Sequence, residues 1–300
     1  MKKKPKRKTS RKTKKSVRKV VRKSMKKTAH KKPKRKASKR TTKKTQEKVS
    51  RTHKKFQKKT LKKVKGIIRV PSNIPNFDRL TEGGFEKNST NMIVGGSGCG
   101  KTVFATQFLV GGMMSGEKCL YVTFEGQKDE FYTIAQTFGW NLKEYEKKDL
   151  FTFLEYTPSK VKTMLEEGGG AIESLIIKKK ISRIVIDSIT SFALLFDDEL
   201  ERREAALELF SMLSKWNCTT LLTYEGSPGK EKQSTSIAME FESDSIILFY
   251  YPRYRGKRDR YIEIYKMKGT DHSRKIYHFQ ILKGKGIKIS TSPKSNPPLG

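Results

Sequence analysis

From residue 66 onward, apolar positions come in short blocks separated by polar and glycine-rich breaks. Asn88–Gly95, Cys119–Phe124, Phe151–Leu154, Ile184–Ile186, Thr219–Tyr224 and Ser245–Tyr250 are brief, mostly apolar runs. Runs of that kind, rich in Val, Ile, Leu, Phe and Tyr, mark strands buried on both faces. Between them lie segments with helical spacing, about Lys101–Met114, Asp129–Phe138, Lys160–Ile177 and Glu199–Trp216. Gly116 stops the first, and Gly168-Gly169-Gly170 interrupts the third. In the fourth, Leu200, Ala205, Leu207, Phe210 and Leu213 are available for a buried face. Ahead of all these, Pro71 and Pro75 break regular structure, and a short helix over Asn76–Leu80 ends at Glu82-Gly83-Gly84. Alternating strands and helices predict an α/β fold with a mostly parallel sheet flanked by helices. The character then changes: Tyr261–Lys266 and Ile276–Ile289 have no helix between them, which predicts antiparallel C-terminal edge strands.

The break after the first strand carries chemistry. Gly95-Gly96-Ser97-Gly98-Cys99-Gly100-Lys101-Thr102 fits the GxxxxGK[ST] phosphate-loop pattern, in the context of strand, loop and helix. Glycines let backbone N–H groups curl around a polyphosphate. Lys101 can reach the β and γ phosphates, and the Thr102 hydroxyl can ligate Mg²⁺. The helix N-terminus adds favourable partial charge. ATP and Mg²⁺ are therefore the expected ligands. Asp187 ends the run Arg183-Ile-Val-Ile-Asp187, where a carboxylate can hold Mg²⁺ directly or through water. Glu125, ending Leu120-Tyr-Val-Thr-Phe-Glu125, is the candidate to orient or deprotonate the attacking water.

Charge divides the chain. The formal net charge is +37, yet residues 1–65 hold 34 Lys and Arg against a single acid, Glu47, while the remaining 235 residues are near neutral. Residues 1–65 cannot assemble a core and are expected to be a disordered basic arm. Residues 66–290 form the expected folded domain and 291–300 a short flexible tail. The arm's charge suits a nucleic-acid backbone, bound without sequence readout, because Phe56 is its only aromatic residue. A second basic stretch, Arg253, Arg255, Lys257, Arg258 and Arg260, interleaves with Tyr251, Tyr254 and Tyr261 and is a candidate nucleic-acid patch. Cys99, Cys119 and Cys218 show no metal-ligand spacing, and no apolar run is long enough to span a membrane. The N-terminus has no secretory h-region. The expected location is cytoplasmic, with nucleoid association through the arm.

With these elements placed, the chain resembles the KaiC-like branch of the RecA superfamily of ATPases over roughly residues 66–290. IPNFDRLTEGGF, GGSGCGKTVFATQFLVGG, GEKCLYVTFE, RIVIDSIT and YKMKGTDHSRKIYHFQI carry the resemblance. It implies a RecA-type P-loop NTPase core and a homo-oligomer, often a hexameric ring, with ATP between subunits. It also implies that Lys266, Lys268 and His272 contact the nucleotide of the next subunit. Lys268 stands where an Arg is more usual, keeping the charge and losing the bidentate fork. The family typically has two adjacent acids where this chain has Glu125 and Gly126. The expected activity is thus a slow, Mg²⁺-dependent ATPase coupled to oligomer state or a partner. A nucleotide-gated module with little turnover and a RecA-like DNA-processing ATPase remain open.

Overall fold

The computed structural model describes residues 66–124, 126–156, 160, 163, 169–193, 195–196, 198–226 and 242–295. The basic arm and Glu125 lie outside the described residues. The elements run β1 (Arg69–Val70), α1 (Phe77–Leu80), β2 (Phe85–Glu86), β3 (Thr90–Gly95), α2 (Lys101–Met114), β4 (Cys119–Thr123), α3 (Lys128–Thr137), α4 (Leu142–Lys147) and β5 (Phe151–Glu155). Then come α5 (Gly170–Lys179), β6 (Arg183–Asp187), α6 (Ile189–Ala193), α7 (Glu199–Lys215), β7 (Thr219–Glu225) and β8 (Ser245–Tyr250). The chain closes with β9 (Arg253–Tyr254), β10 (Lys257–Arg258), β11 (Arg260–Met267), β12 (Ile276–Leu282) and β13 (Gly286–Pro293).

Nine strands form one sheet in the order β13-β12-β11-β8-β3-β7-β6-β4-β5. The six from β8 to β5 are parallel, and β11, β12 and β13 add on antiparallel. Alternate residues of the central strands enter two separate cores, because successive side chains of a strand point to opposite faces. Ile93, Tyr121 and Val185 join α2 on one face. Met92, Leu120, Val122, Ile184 and Ile186 join α5 and α7 on the other. A strand filling two cores at once must be apolar throughout, which is why these runs lack polar alternation.

Four details depart from the sequence reading. β4 stops at Thr123, before Phe124 and Glu125. Gly169 adopts φ 83° as the N-cap of α5, so this glycine starts a helix. On α7, Leu200 and Leu207 are exposed, while Ala205, Ala206, Leu209, Phe210, Met212 and Leu213 are buried. The stripe is set by small Ala205 and Ala206, which let α7 approach the sheet, and Leu207 falls off it at 3.6 residues per turn. β13 also continues to Pro293, past the boundary at 290.

One buried charge ties α2 to the sheet. Arg183 is 1% exposed. Its Nε donates to Glu117 at 3.0 Å, and its Nη1 to the Pro71 and Phe108 carbonyls at 3.0 and 2.9 Å. Its guanidinium lies 4.6 Å from the Phe108 ring centroid. A Cβ on Gly112 would sit 2.5 Å from Arg183 Nε, so the helix has glycine where the guanidinium passes. Burial pushes the Glu117 carboxyl up, but hydrogen bonds and charge from Arg183 outweigh it and hold it below its usual value. Glu117→Ala should cost about 3 kcal/mol of stability, because Arg183 would stay buried without its counter-charge. The check is the urea midpoint at neutral pH with an unchanged slope. Because the folded value is the lower one, this contribution is present above the ordinary carboxylate range and fades as pH falls through the folded value. The wild-type advantage over Glu117→Ala should therefore shrink in acid.

Candidate functional site

β3 ends at the centre of the sheet between β8 and β7, and the phosphate loop follows its carboxyl end. Gly98 and Gly100 have φ of 72° and 112°, a region that side chains other than glycine rarely adopt. Gly100 caps α2 with no side-chain hydrogen bond, and the first turn of α2 has no acid. Its first N–H groups, lacking intrahelical partners, are left for an anion. Lys101 Nζ arches back onto the loop and donates to the Gly95 and Gly96 carbonyls at 2.8 and 3.0 Å.

Asp187 ends β6, two strands away from β3, beside this loop. Thr102 Oγ1 donates to Asp187 Oδ2 at 2.7 Å, so the two residues singled out for Mg²⁺ do meet. The same oxygen accepts the Tyr121 hydroxyl at 2.7 Å, and Oδ1 accepts the Thr223 hydroxyl. The Asp187–Ser188 peptide is cis. Among the described residues no group of three or more His, Cys, Asp or Glu could hold a metal by itself. The donor set of hard hydroxyl and carboxylate oxygens fits a Mg²⁺ that arrives with nucleotide phosphates and keeps part of its hydration shell.

Tyr121 and Thr223 were missed from the sequence. Both lie inside apolar strand runs, where a hydroxyl reads as core. Burial, then the charge and hydrogen bond of Asp187, raise the Tyr121 phenol well above its ordinary value, so it remains a donor. The Cys99 thiol inside the loop is fully buried and raised by desolvation, despite the neighbouring Lys101.

The basic stretch after β8 divides in two. β9 and β10 form a two-stranded hairpin with Arg253, Arg255 and Lys257 exposed at its end. Arg258, exposed on β10, and Arg260 both lie over Tyr251, and Arg260 reaches the phosphate loop. Their guanidinium carbons lie 5.2 and 4.3 Å from the Tyr251 ring centroid, and Arg260 Nη2 donates to the Gly98 carbonyl at 3.1 Å. Arg260 Nε is buried with no hydrogen-bond partner. β11 begins beside the phosphate loop and carries the half-buried Arg260 there.

Lys266 and Lys268 sit at the other end of β11. Tyr261 pairs with Tyr250 near the loop, while Met267 pairs with Ser245 at the far end of β8. Lys266 Nζ donates to the Ser243 carbonyl at 2.7 Å, and Lys268 Nζ to Asp244 Oδ1 at 3.0 Å. Six residues of strand span roughly 17 Å, which separates these lysines from the phosphate loop of their own subunit. His272 Nδ1 lies 3.1 Å from the Ser273 carbonyl oxygen. It lines an open groove of about 600 Å³ with Arg79, Arg274, Lys275 and Tyr277.

A family model described as "ATPase: KaiC" matches residues 70–294. The chain is 32% identical over 235 residues to the circadian clock protein KaiC3 of Synechocystis, covering 76% of this chain and 46% of that protein. It thus spans about half the length of that relative. It is 30% identical over 234 residues to a UPF0273 protein of Methanopyrus kandleri, covering 74% of this chain and 91% of the relative. Among solved structures, a KaiC-like protein from Pyrococcus horikoshii superposes with a TM-score of 0.67 at 35% identity, covering 75% of this chain and 99% of that one.

Proposed function

The chain belongs to the KaiC family of ATPases, and from that membership we propose that it binds Mg²⁺–ATP at the loop Gly95–Thr102 and hydrolyses it slowly. The carrying observation is the meeting of Thr102 and Asp187 beside an uncapped glycine-rich helix start. Lys101 leaves the Gly95 and Gly96 carbonyls for the β and γ phosphates. Backbone N–H groups of the loop hold the phosphate oxygens in place of water. Thr102 ligates Mg²⁺ and Asp187 holds its hydration shell; the ion, when bound, neutralises charge that develops on the phosphates. Glu125, two residues past β4 in sequence, orients the attacking water.

The reading extends to assembly. Lys266 and Lys268 lie at the far end of β11 from their own loop, which supports contacts with a neighbouring subunit's nucleotide in a homo-oligomer, hexameric by family resemblance. His272 and its basic groove fit the same role. Residues 1–65 supply non-specific nucleic-acid affinity, and the exposed Arg253, Arg255 and Lys257 of the hairpin can add to it.

Gly126 favours a second reading, in which ATP gates a conformation and turnover is incidental, because the family's second acid is missing. Single-turnover hydrolysis on the assembled protein separates the two. Wild type should release phosphate in a Mg²⁺-dependent reaction, and Glu125→Gln should lose most of that rate, about 100-fold or more. Normal hydrolysis by Glu125→Gln would remove Glu125 from its role. Nucleotide binding without measurable hydrolysis by wild type would favour the gating reading.

A further inference from the structure

We propose that the Tyr121 hydroxyl is a positioning group for Asp187, setting the rotation of its carboxylate so that one acceptor position faces the cleft for a metal-bound water. The inference rests on the Mg²⁺–ATP reading above and assigns one further residue to that site.

An ionised carboxylate offers about four acceptor positions. Three are taken: Thr102 and Tyr121 donate to Oδ2, and Thr223 donates to Oδ1. The one that remains is on Oδ1. The torsion that rotates an aspartate carboxylate is broad and chooses no orientation of its own. Donors on both oxygens must do so, and they must themselves be held.

Like Thr223, which is fully buried on the doubly paired β7, Tyr121 is firmly held. It is 3% exposed, on a strand paired on both sides. Its ring stacks on Phe131 at 4.2 Å between centroids and on Phe153 at 5.7 Å, with interplanar angles of 29° and 10°. Thr102 sits at the exposed end of the same constellation and is the residue that would turn a lone pair toward Mg²⁺. Tyr121 therefore keeps Oδ2 anchored whether or not the metal is present. Phenylalanine would pack the same aromatic stack, so packing alone does not explain the hydroxyl.

Tyr121→Phe separates the two roles. The probe is Mn²⁺, followed by electron paramagnetic resonance with a non-hydrolysable ATP analogue, alongside analogue affinity measured without metal. The nucleotide-dependent affinity for Mn²⁺ should fall about tenfold, as expected for one lost hydrogen bond to a charged group, while metal-free analogue affinity holds. Mn²⁺ affinity within twofold of wild type overturns the proposal, as does an equal loss of metal-free analogue affinity. Should Tyr121→Phe not fold, Phe131→Leu carries the test, because it loosens the ring and keeps the hydroxyl. A smaller loss of Mn²⁺ affinity is then expected, and none overturns the proposal. Wild-type protein that shows no nucleotide-dependent Mn²⁺ binding overturns the Mg²⁺–ATP reading first, and this inference with it.

Discussion

A Lys101→Ala protein should release phosphate from ATP at background rate, at least about 100-fold below wild type, as expected when a charged donor aimed at the transferring group is removed. Lys101 is the one cation of the loop itself, and it already bridges the Gly95 and Gly96 carbonyls where a polyphosphate would lie. Its loss should also remove ligand stabilisation. With nucleotide 100-fold above its Kd, wild type gains about 2.7 kcal/mol, and the variant should gain little of it. Without nucleotide the two proteins should melt nearly alike, since the part-buried Gly95 carbonyl keeps the Gly226 N–H as a donor. Thermal melts with and without Mg²⁺–ATP, paired with phosphate release, provide the measurement. Wild-type turnover by Lys101→Ala would remove the loop from the reaction.

Deleting residues 1–65 should leave nucleotide binding nearly intact and sharply weaken binding to duplex DNA or RNA. The charge is lopsided: 34 Lys and Arg against one acid in the arm, near balance in the remainder. If ten of those cations contact duplex phosphates, affinity should fall with salt at a log–log slope of about −9. That slope amounts to roughly 10⁵-fold between 50 and 200 mM salt. The truncated protein should show a shallow slope, set by the few cations of the β9–β10 hairpin. Titrations of one unrelated duplex at several salt concentrations decide it. Equal slopes for both proteins would shift attention to Arg253, Arg255 and Lys257. No binding by either at moderate salt would assign the arm to another polyanion.

The family relation and the site do not carry equal weight. Similarity to KaiC proteins covers the folded region and stops short of the arm, so the arm's role stands on charge alone. Within the folded region, the helix-terminal loop, Thr102 and Asp187 form one hydrogen-bonded unit. Lys266 and Lys268 lie apart from it, at the opposite end of β11.

Some of this protein was written locally in the chain. The phosphate loop is eight consecutive residues, and its shape follows from glycine conformations and the helix start, so the pattern alone determined it. Strand and helix alternation followed from short apolar runs, and the basic arm from charge. The remainder depended on which strands become neighbours. Chain order does not give the order β3-β7-β6-β4, so nothing local says that Tyr121, Thr223 and Asp187 share one carboxylate. A strand buried on both faces shows no polar alternation, and a hydroxyl within it looks like core until its partner strand is known. Arg260 and Lys266 lie six residues apart in the chain. The antiparallel pairing of β11 with β8 carries one to the phosphate loop and the other to the opposite end of the sheet. Local backbone chemistry determined the cradle for phosphate; strand order and register, set by long-range packing, decided which side chains surround it.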